Sequence, residues 1–76
     1  MKKLKGISRY RLQRMIGHHV RFISDCELFP NFNVTGKVVN VAIQSNEPII
    51  EIIEKRSHKR LTISGHMKNL QYETVE

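Results

Sequence analysis

Apolar residues near the start of the chain recur at helical spacing. On a helical wheel three of them share one side: Leu12, Met15 and Ile16. Ser8 is a typical N-cap residue, and Gly17 suits the left-handed conformation that follows a helix end. The pattern predicts a short helix over residues 8–16, preceded by a flexible basic tail over residues 1–6. Because so short a helix is unstable alone in water, we expect its apolar side to pack against the rest of the chain.

From residue 19 onwards the pattern changes to the alternation that is typical of β-strands. The predicted strands cover residues 19–24, 34–43, 49–54, 61–64 and 69–74. Short, bent strands of this number close most economically as a small barrel, which leaves few unpaired edges. We therefore predict one domain over residues 1–76, mainly β, with a five-stranded bent barrel over residues 19–75 and one short N-terminal helix.

The second predicted strand changes its apolar phase part of the way along. Val34 and Val38 keep one phase, whereas Val39 and Val41 keep the other. One inserted residue turns every later side chain to the opposite face of a sheet. The sequence therefore predicts a β-bulge or sharp bend near residues 36–39.

This order of elements resembles the Sm-like small barrels of the LSm and Hfq type. Three segments carry the resemblance: residues 34–41 (VTGKVVNV), 49–53 (IIEII) and 61–64 (LTIS). The resemblance implies rings of subunits that bind single-stranded RNA. The SH3-like barrels share nearly the same strand plan and mostly bind peptides or proteins, and fold alone does not choose between the two.

The residues that form the uridine pocket of Sm-like proteins are incomplete in this chain. At the turn after the second predicted strand only Asn46 matches the expected Asp and Asn. Between the last two strands the chain has Ser64, Gly65 and His66 where relatives carry an Arg-Gly or a Lys-His pair. No base pocket is therefore carried over from the resemblance.

The cysteine content and the hydropathy of the chain indicate the cellular compartment in which the protein is expected. Cys26 is the only cysteine, so no internal disulfide is available, and a reducing, cytoplasmic location is expected. No apolar run approaches the roughly 18 residues of a membrane span.

The loop residues Leu28, Phe29 and Phe32 are expected to fill the core, with an exposed contact patch as the alternative.

Positive charge is concentrated at the start of the chain. The first 21 residues contain seven Lys or Arg and no Asp or Glu, whereas the other 55 contain six basic and seven acidic residues. The formal charge of +6 therefore comes from the opening stretch. Such a local excess favours a polyanionic partner, because Lys and Arg that neutralise phosphates release condensed counterions.

The predicted nucleic-acid-binding residues fall into two groups. The first combines the tail, the exposed side of the helix and one strand residue: Lys2, Lys3, Lys5, Arg9, Tyr10, Arg11, Arg14 and Arg21. Its arginines suit phosphate oxygens, and an exposed Tyr10 suits stacking on an unpaired base. The second group occupies a predicted hairpin tip: Lys55, Arg56, Lys59 and Arg60. It is expected to extend the first only if the fold places both on one side.

Neither a metal site nor a catalytic site is predicted. The histidines and the cysteine lack metal-ligand spacing. Ser57 beside His58, and Ser64 near His66, have no orienting carboxylate close in sequence, and Cys26 stands between two acidic residues that disfavour a thiolate. We expect no cofactor and no enzymatic activity.

The sequence thus predicts a small non-enzymatic protein that binds RNA or single-stranded DNA through the phosphate backbone, with a homo-oligomer as a further expectation. The alternative is an adaptor or inhibitor that binds an acidic surface of a larger protein. A membrane-surface helix is disfavoured, because its narrow apolar side is needed for packing.

Overall fold

The structure is a computed structural model that describes residues 1–25, 31–65, 67 and 69–75. In that part of the chain it contains one helix, α1 (Arg9–Arg14), and six strands: β1 (Lys2–Lys3), β2 (His19–Ser24), β3 (Phe32–Gln44), β4 (Glu47–Glu54), β5 (Arg60–Ser64) and β6 (Gln71–Thr74). All strand pairs are antiparallel, in one sheet of order β1-β6-β2-β3-β4-β5. The predicted mainly β class is confirmed.

The sheet differs from the prediction in the number of strands and in its edges. It has a sixth strand, and within the described residues its hydrogen-bonded order is open, with β1 at one edge and β5 at the other. The closed five-stranded barrel therefore stays a prediction.

The first residues of the chain are part of the sheet. Lys2 pairs with Tyr72 and Lys3 with Gln71, and the Leu4 N–H donates to the Leu70 carbonyl at 3.0 Å. The Leu4 side chain is fully buried, with 0% of its surface exposed. The prediction of a flexible tail over residues 1–6 was therefore wrong for this segment, because one apolar side chain inserted in the core fixes the two lysines before it.

Helix α1 is shorter than the predicted 8–16. The Ser8 hydroxyl, at the N-cap, accepts from the Arg11 N–H at 3.2 Å, and the helix ends at Arg14 with Met15 as its C-cap. Ile16 lies beyond the helix and is 46% exposed. The helical pattern overestimated the length because Ile16 was counted as an apolar packing residue.

The residues after α1 connect it to the middle of β3. Gly17 has φ +89° and donates its N–H to the Val38 carbonyl at 2.8 Å, and the Val38 N–H donates to the His18 carbonyl at 3.0 Å. The register of β3 against β4 shifts between Val38 and Asn40. This irregularity confirms the predicted bulge, and it lies where the helix end docks.

The core consists of apolar side chains from the N-terminal segment, the helix and the sheet. Among the described residues its buried members are Leu4, Leu12, Met15, Val20, Phe22, Val38, Ile50, Ile52, Ile63 and Leu70. Phe32 is half-buried and packs against this core. The predictions for Cys26, Leu28, Phe29 and His66 lie outside the described residues. No helix in the described part of the chain has the length and apolar character needed to cross a membrane.

Candidate anion-binding surfaces

The side chains of α1 and β1 form one basic groove. Two adjoining depressions share Lys2, Arg11 and Tyr72 as lining residues. We call their combined surface the N-terminal groove. Its described lining residues are Lys2, Lys3, Lys5, Gly6, Ile7, Ser8, Arg11, Arg14, Met15, His18, Tyr72 and Thr74.

The N-terminal groove has a uniform charge. Its five Lys and Arg residues are Lys2, Lys3, Lys5, Arg11 and Arg14, and none of its described lining residues is Asp or Glu. None of these five side chains makes an ion pair with a carboxylate of the described residues. Their positive charge is therefore not neutralised by ion pairs in the described part of the chain, although Lys3 and Lys5 also line a neighbouring depression that contains Glu47. A local positive excess of this kind attracts anionic partners.

The groove is built by elements distant in sequence. Pairing with β6 aligns Lys2 with Tyr72, so the β1 lysine lies beside a ring from the C-terminal end of the chain. The Ser8 cap starts α1 in a register that places Arg11 and Arg14 on the groove side, three residues apart. Residues at this spacing are neighbours on a helix surface, so their guanidinium groups can contact successive phosphates of one chain.

Tyr10 stands beside the groove and does not line it. Its side chain is 68% exposed, and the Arg14 guanidinium carbon lies 5.6 Å from the centre of its ring. This distance is within the range of a cation–π contact. Arg14 therefore lines the groove and contacts an exposed aromatic ring. Arg9 is exposed at the start of α1, outside the described lining of the groove.

The second predicted basic group belongs to a different depression, which we call the tip groove. Its described lining residues are Arg21, Asn33, Val34, Thr35, Glu54, Lys55, Arg56 and Val75. Lys59 and Arg60, from the same hairpin, do not line it. Arg60 is instead paired with Glu51, its Nη1 lying 2.7 Å from the carboxylate. The four cations of the hairpin therefore do not act as one patch.

Strand pairing places Arg21 and Tyr72, which line different grooves, on opposite faces of the β2–β6 ladder. Tyr72, in the N-terminal groove, pairs with the fully buried Phe22 and so lies on the core side. Arg21, in the tip groove, precedes Phe22 and pairs with Glu73 on β6 and with Thr35 on β3. Successive residues of a strand alternate between faces, so Arg21 points away from the core side. No described residue lines both grooves, so the two basic groups do not form one continuous groove.

Arg21 is engaged within the protein. It forms an ion pair with Glu73, in which the two side chains are 41% and 35% exposed. Its Nε is buried and has no hydrogen-bond partner among the described residues. Arg21 was predicted to join the helix arginines, but the fold directs it to the other face and gives it an acidic neighbour 52 residues away in sequence.

Among the lining residues of the N-terminal groove that sequence reasoning missed, two carry a polar ring, His18 and Tyr72. His18 follows the glycine that ends the helical segment, and that position was a signal that it stays near the arginines. Tyr72 carries no such local signal, because only the pairing of β6 with β1 brings it to Lys2.

The Ser57 hydroxyl, which the sequence places beside His58, has a structural role in the hairpin. Ser57, in the predicted Ser-His pair, hydrogen bonds to the Glu54 carboxylate, and its Oγ also accepts from the Lys59 N–H at 3.2 Å. These contacts organise the hairpin turn. No group of three or more His, Cys, Asp or Glu side chains suited to a metal ion exists among the described residues.

The fold and these surfaces define a small, mainly β protein with an uncompensated basic groove. Its sequence matches no family model, and neither the curated proteins nor the solved structures contain a match.

Proposed function

We propose that the protein binds RNA or single-stranded DNA by holding the phosphate backbone in the N-terminal groove. The observation that carries this proposal is the set of five Lys and Arg side chains around one groove whose described lining contains no carboxylate. Phosphate oxygens match guanidinium and ammonium donors, and the release of counterions from the nucleic acid favours the complex. The role is one of binding, without a chemical step.

The exposed Tyr10 ring supports a single strand as the ligand. An unpaired base has a free aromatic face, whereas the bases of a duplex are stacked on each other and covered. Stacking on a Tyr ring contributes about 1–3 kcal/mol per base. The Arg14 guanidinium beside Tyr10 links this ring to the phosphate-binding groove.

We also propose that β2 to β6 form the bent barrel of the Sm-like or SH3-like type. The order β6-β2-β3-β4-β5 supports this, since the five predicted strands are neighbours in that sequence within one antiparallel sheet. The bulge in β3 between Val38 and Asn40 supports the strong bend that closure requires.

The experiment is fluorescence anisotropy of labelled single-stranded RNA, single-stranded DNA and duplex DNA at several salt concentrations. The test variant is Arg11→Glu with Arg14→Glu. The control is Lys37→Glu with Lys59→Glu, which changes the net charge equally at two exposed lysines outside both grooves. A milder variant, Arg11→Gln with Arg14→Gln, removes the charges without reversing them.

We expect the Arg11 and Arg14 variants to lose affinity for single strands while the control retains it. Loss of two phosphate contacts lowers the slope of log K against log salt by about 1.4, since each contact on a single strand contributes about 0.7. Equal losses in the test and control variants would show a net-charge effect only and would refute the assigned groove. Absence of binding at low salt would refute the proposal and favour an acidic protein partner, to be sought by pull-down.

A further inference from the structure

We propose that the tip groove is a second, separate anion-binding site that accepts the phosphate group of a phosphorylated ligand. The proposal goes beyond the assigned role of the N-terminal groove and does not depend on it, because no described residue lines both surfaces. The tip groove has a volume of about 750 Å³, which is within the size range of small-molecule sites.

The first argument is the state of Arg21 at one wall of the groove. Its ion pair with Glu73 fixes the guanidinium against β6. Its Nε lies buried and lacks an acceptor among the described residues. The buried Nε is closed to a ligand, but the Arg21 side chain as a whole is 41% exposed. Its guanidinium group therefore presents positive charge to an anion in the groove.

The second argument is the positive charge at the other wall. Lys55 and Arg56 are exposed, line the groove and make no ion pair with a described carboxylate. Glu54 is the acidic lining residue, and its carboxylate accepts the hydroxyl of Ser57. Glu73 is ion-paired with Arg21, whereas the Ser57 hydroxyl leaves the Glu54 charge in place. The described lining of the groove thus contains three cations, Arg21, Lys55 and Arg56, and one carboxylate, Glu54.

The third argument is that the hairpin holding these cations is well organised. The Lys55 N–H donates to the Thr35 carbonyl at 2.9 Å, which ties the turn to β3. Within the turn, the Glu54 N–H donates to the Lys59 carbonyl at 2.8 Å and the His58 N–H donates to the Glu54 carbonyl at 2.9 Å. A fixed turn loses little backbone entropy when a ligand binds, so the ordering cost falls mainly on the exposed Lys55 and Arg56 side chains.

The groove also contains neutral polar side chains. Asn33 pairs with Ile23 and Thr35 with Arg21 across the β2–β3 ladder, so Asn33 and Thr35 share the face of Arg21. Amide and hydroxyl groups beside the cations suit the hydroxyl-bearing portion of a phosphate ester. The ligand class is therefore a phosphorylated organic molecule, either free or as part of a nucleotide chain.

The test is a titration of the isotope-labelled full chain, followed by the NMR signals of its amide groups and of the arginine Nε–H groups. The probes are inorganic phosphate, a nucleoside monophosphate and a short unlabelled oligonucleotide without a terminal phosphate, with sodium chloride at matched ionic strength as the reference. We expect saturable shifts at Asn33, Thr35, Lys55 and Arg56, together with the Arg21 Nε–H signal.

The variants separate this site from its surroundings. Lys55→Ala and Arg56→Ala are each expected to weaken phosphate binding about tenfold or more, the equivalent of one lost charge-assisted hydrogen bond. Lys59→Ala is the matched control, since it removes a cation from the same turn but outside the groove. Arg11→Gln with Arg14→Gln should leave phosphate binding at the tip groove unchanged, so this proposal and the proposed function fail independently.

The outcomes are distinct. Saturation by phosphate or the monophosphate supports a free phosphorylated ligand, and saturation by the oligonucleotide alone supports a phosphate within a nucleotide chain. Shifts no larger than those caused by sodium chloride, or equal losses in Lys55→Ala and Lys59→Ala, would overturn the assignment. The spectrum of each variant also shows whether it is folded.

Discussion

Replacing Leu4 with Ala tests whether the N-terminal segment is an integral part of the fold. Leu4 is fully buried although it lies four residues from the start of the chain, and its N–H is bonded to Leu70. The substitution removes the equivalent of three methylene groups, about 2.4 kcal/mol of transfer free energy at roughly 0.8 kcal/mol each. The cavity that remains adds to this, and measured Leu→Ala changes in cores are about 2–5 kcal/mol.

This loss is large for a chain of this size. At about 0.05–0.15 kcal/mol per residue, a domain of 76 residues is stable by roughly 4–11 kcal/mol. We therefore expect Leu4→Ala to lower the free energy of unfolding by about a fifth or more. With a urea m-value of about 1 kcal/mol/M for a small domain, the midpoint should fall by about 2 M or more.

The assay is urea unfolding of the wild type and variants, followed by circular dichroism. Met1→Ala is the control, because Met1 lies in the same segment and is 49% exposed. We expect the control to stay within about 0.5 kcal/mol of the wild type, as surface substitutions usually do. A Leu4→Ala change no larger than that of Met1→Ala would refute the assignment of Leu4 to the core and would restore the flexible tail.

Three further predictions concern the glycine in β3, the helix cap and the exposed tyrosine. Gly36→Ala should destabilise the protein by about 1–3 kcal/mol, since a Cβ there would lie 2.5 Å from the Ile53 carbonyl oxygen; an unchanged unfolding midpoint would contradict this. Ser8→Ala should cost about 1 kcal/mol through the lost N-cap, whereas Ser8→Asp should retain most of it, and equal unfolding curves for both variants would rule out the cap. Tyr10→Ala should weaken binding to single strands about tenfold, measured by fluorescence anisotropy, and leave duplex binding unchanged. Tyr10→Phe is the control that keeps the ring. Equal losses of affinity for single strands and for the duplex would argue against stacking.

Local patterns in the sequence were sufficient for much of the fold. Alternation of apolar and polar residues depends on the chain's own geometry, so strands β2, β4 and β5 fall close to the predicted ranges. The phase change around Val38 also depended on neighbouring residues alone, and the bulge is present there. The concentration of positive charge in the first 21 residues was likewise visible without the fold.

Strand β1 could not be predicted from local sequence patterns. Two lysines have no apolar alternation to mark them as a strand, and only the free edge of β6 gives them hydrogen-bonding partners. The burial of Leu4 follows from that same pairing. A segment that is stabilised by contacts with the far end of the chain carries no signal in its own residues.

The candidate site also combines features that the sequence determined with features that the fold determined. The sequence alone determined that Arg11 and Arg14 lie near each other, because a helix of any orientation keeps residues three apart together. Only the tertiary structure decided that Arg21 pairs with Glu73 and that two of the hairpin cations, Lys55 and Arg56, line a separate groove. Charge and periodicity are properties of neighbouring residues, whereas the faces and partners of side chains depend on which strands pair over long separations in sequence.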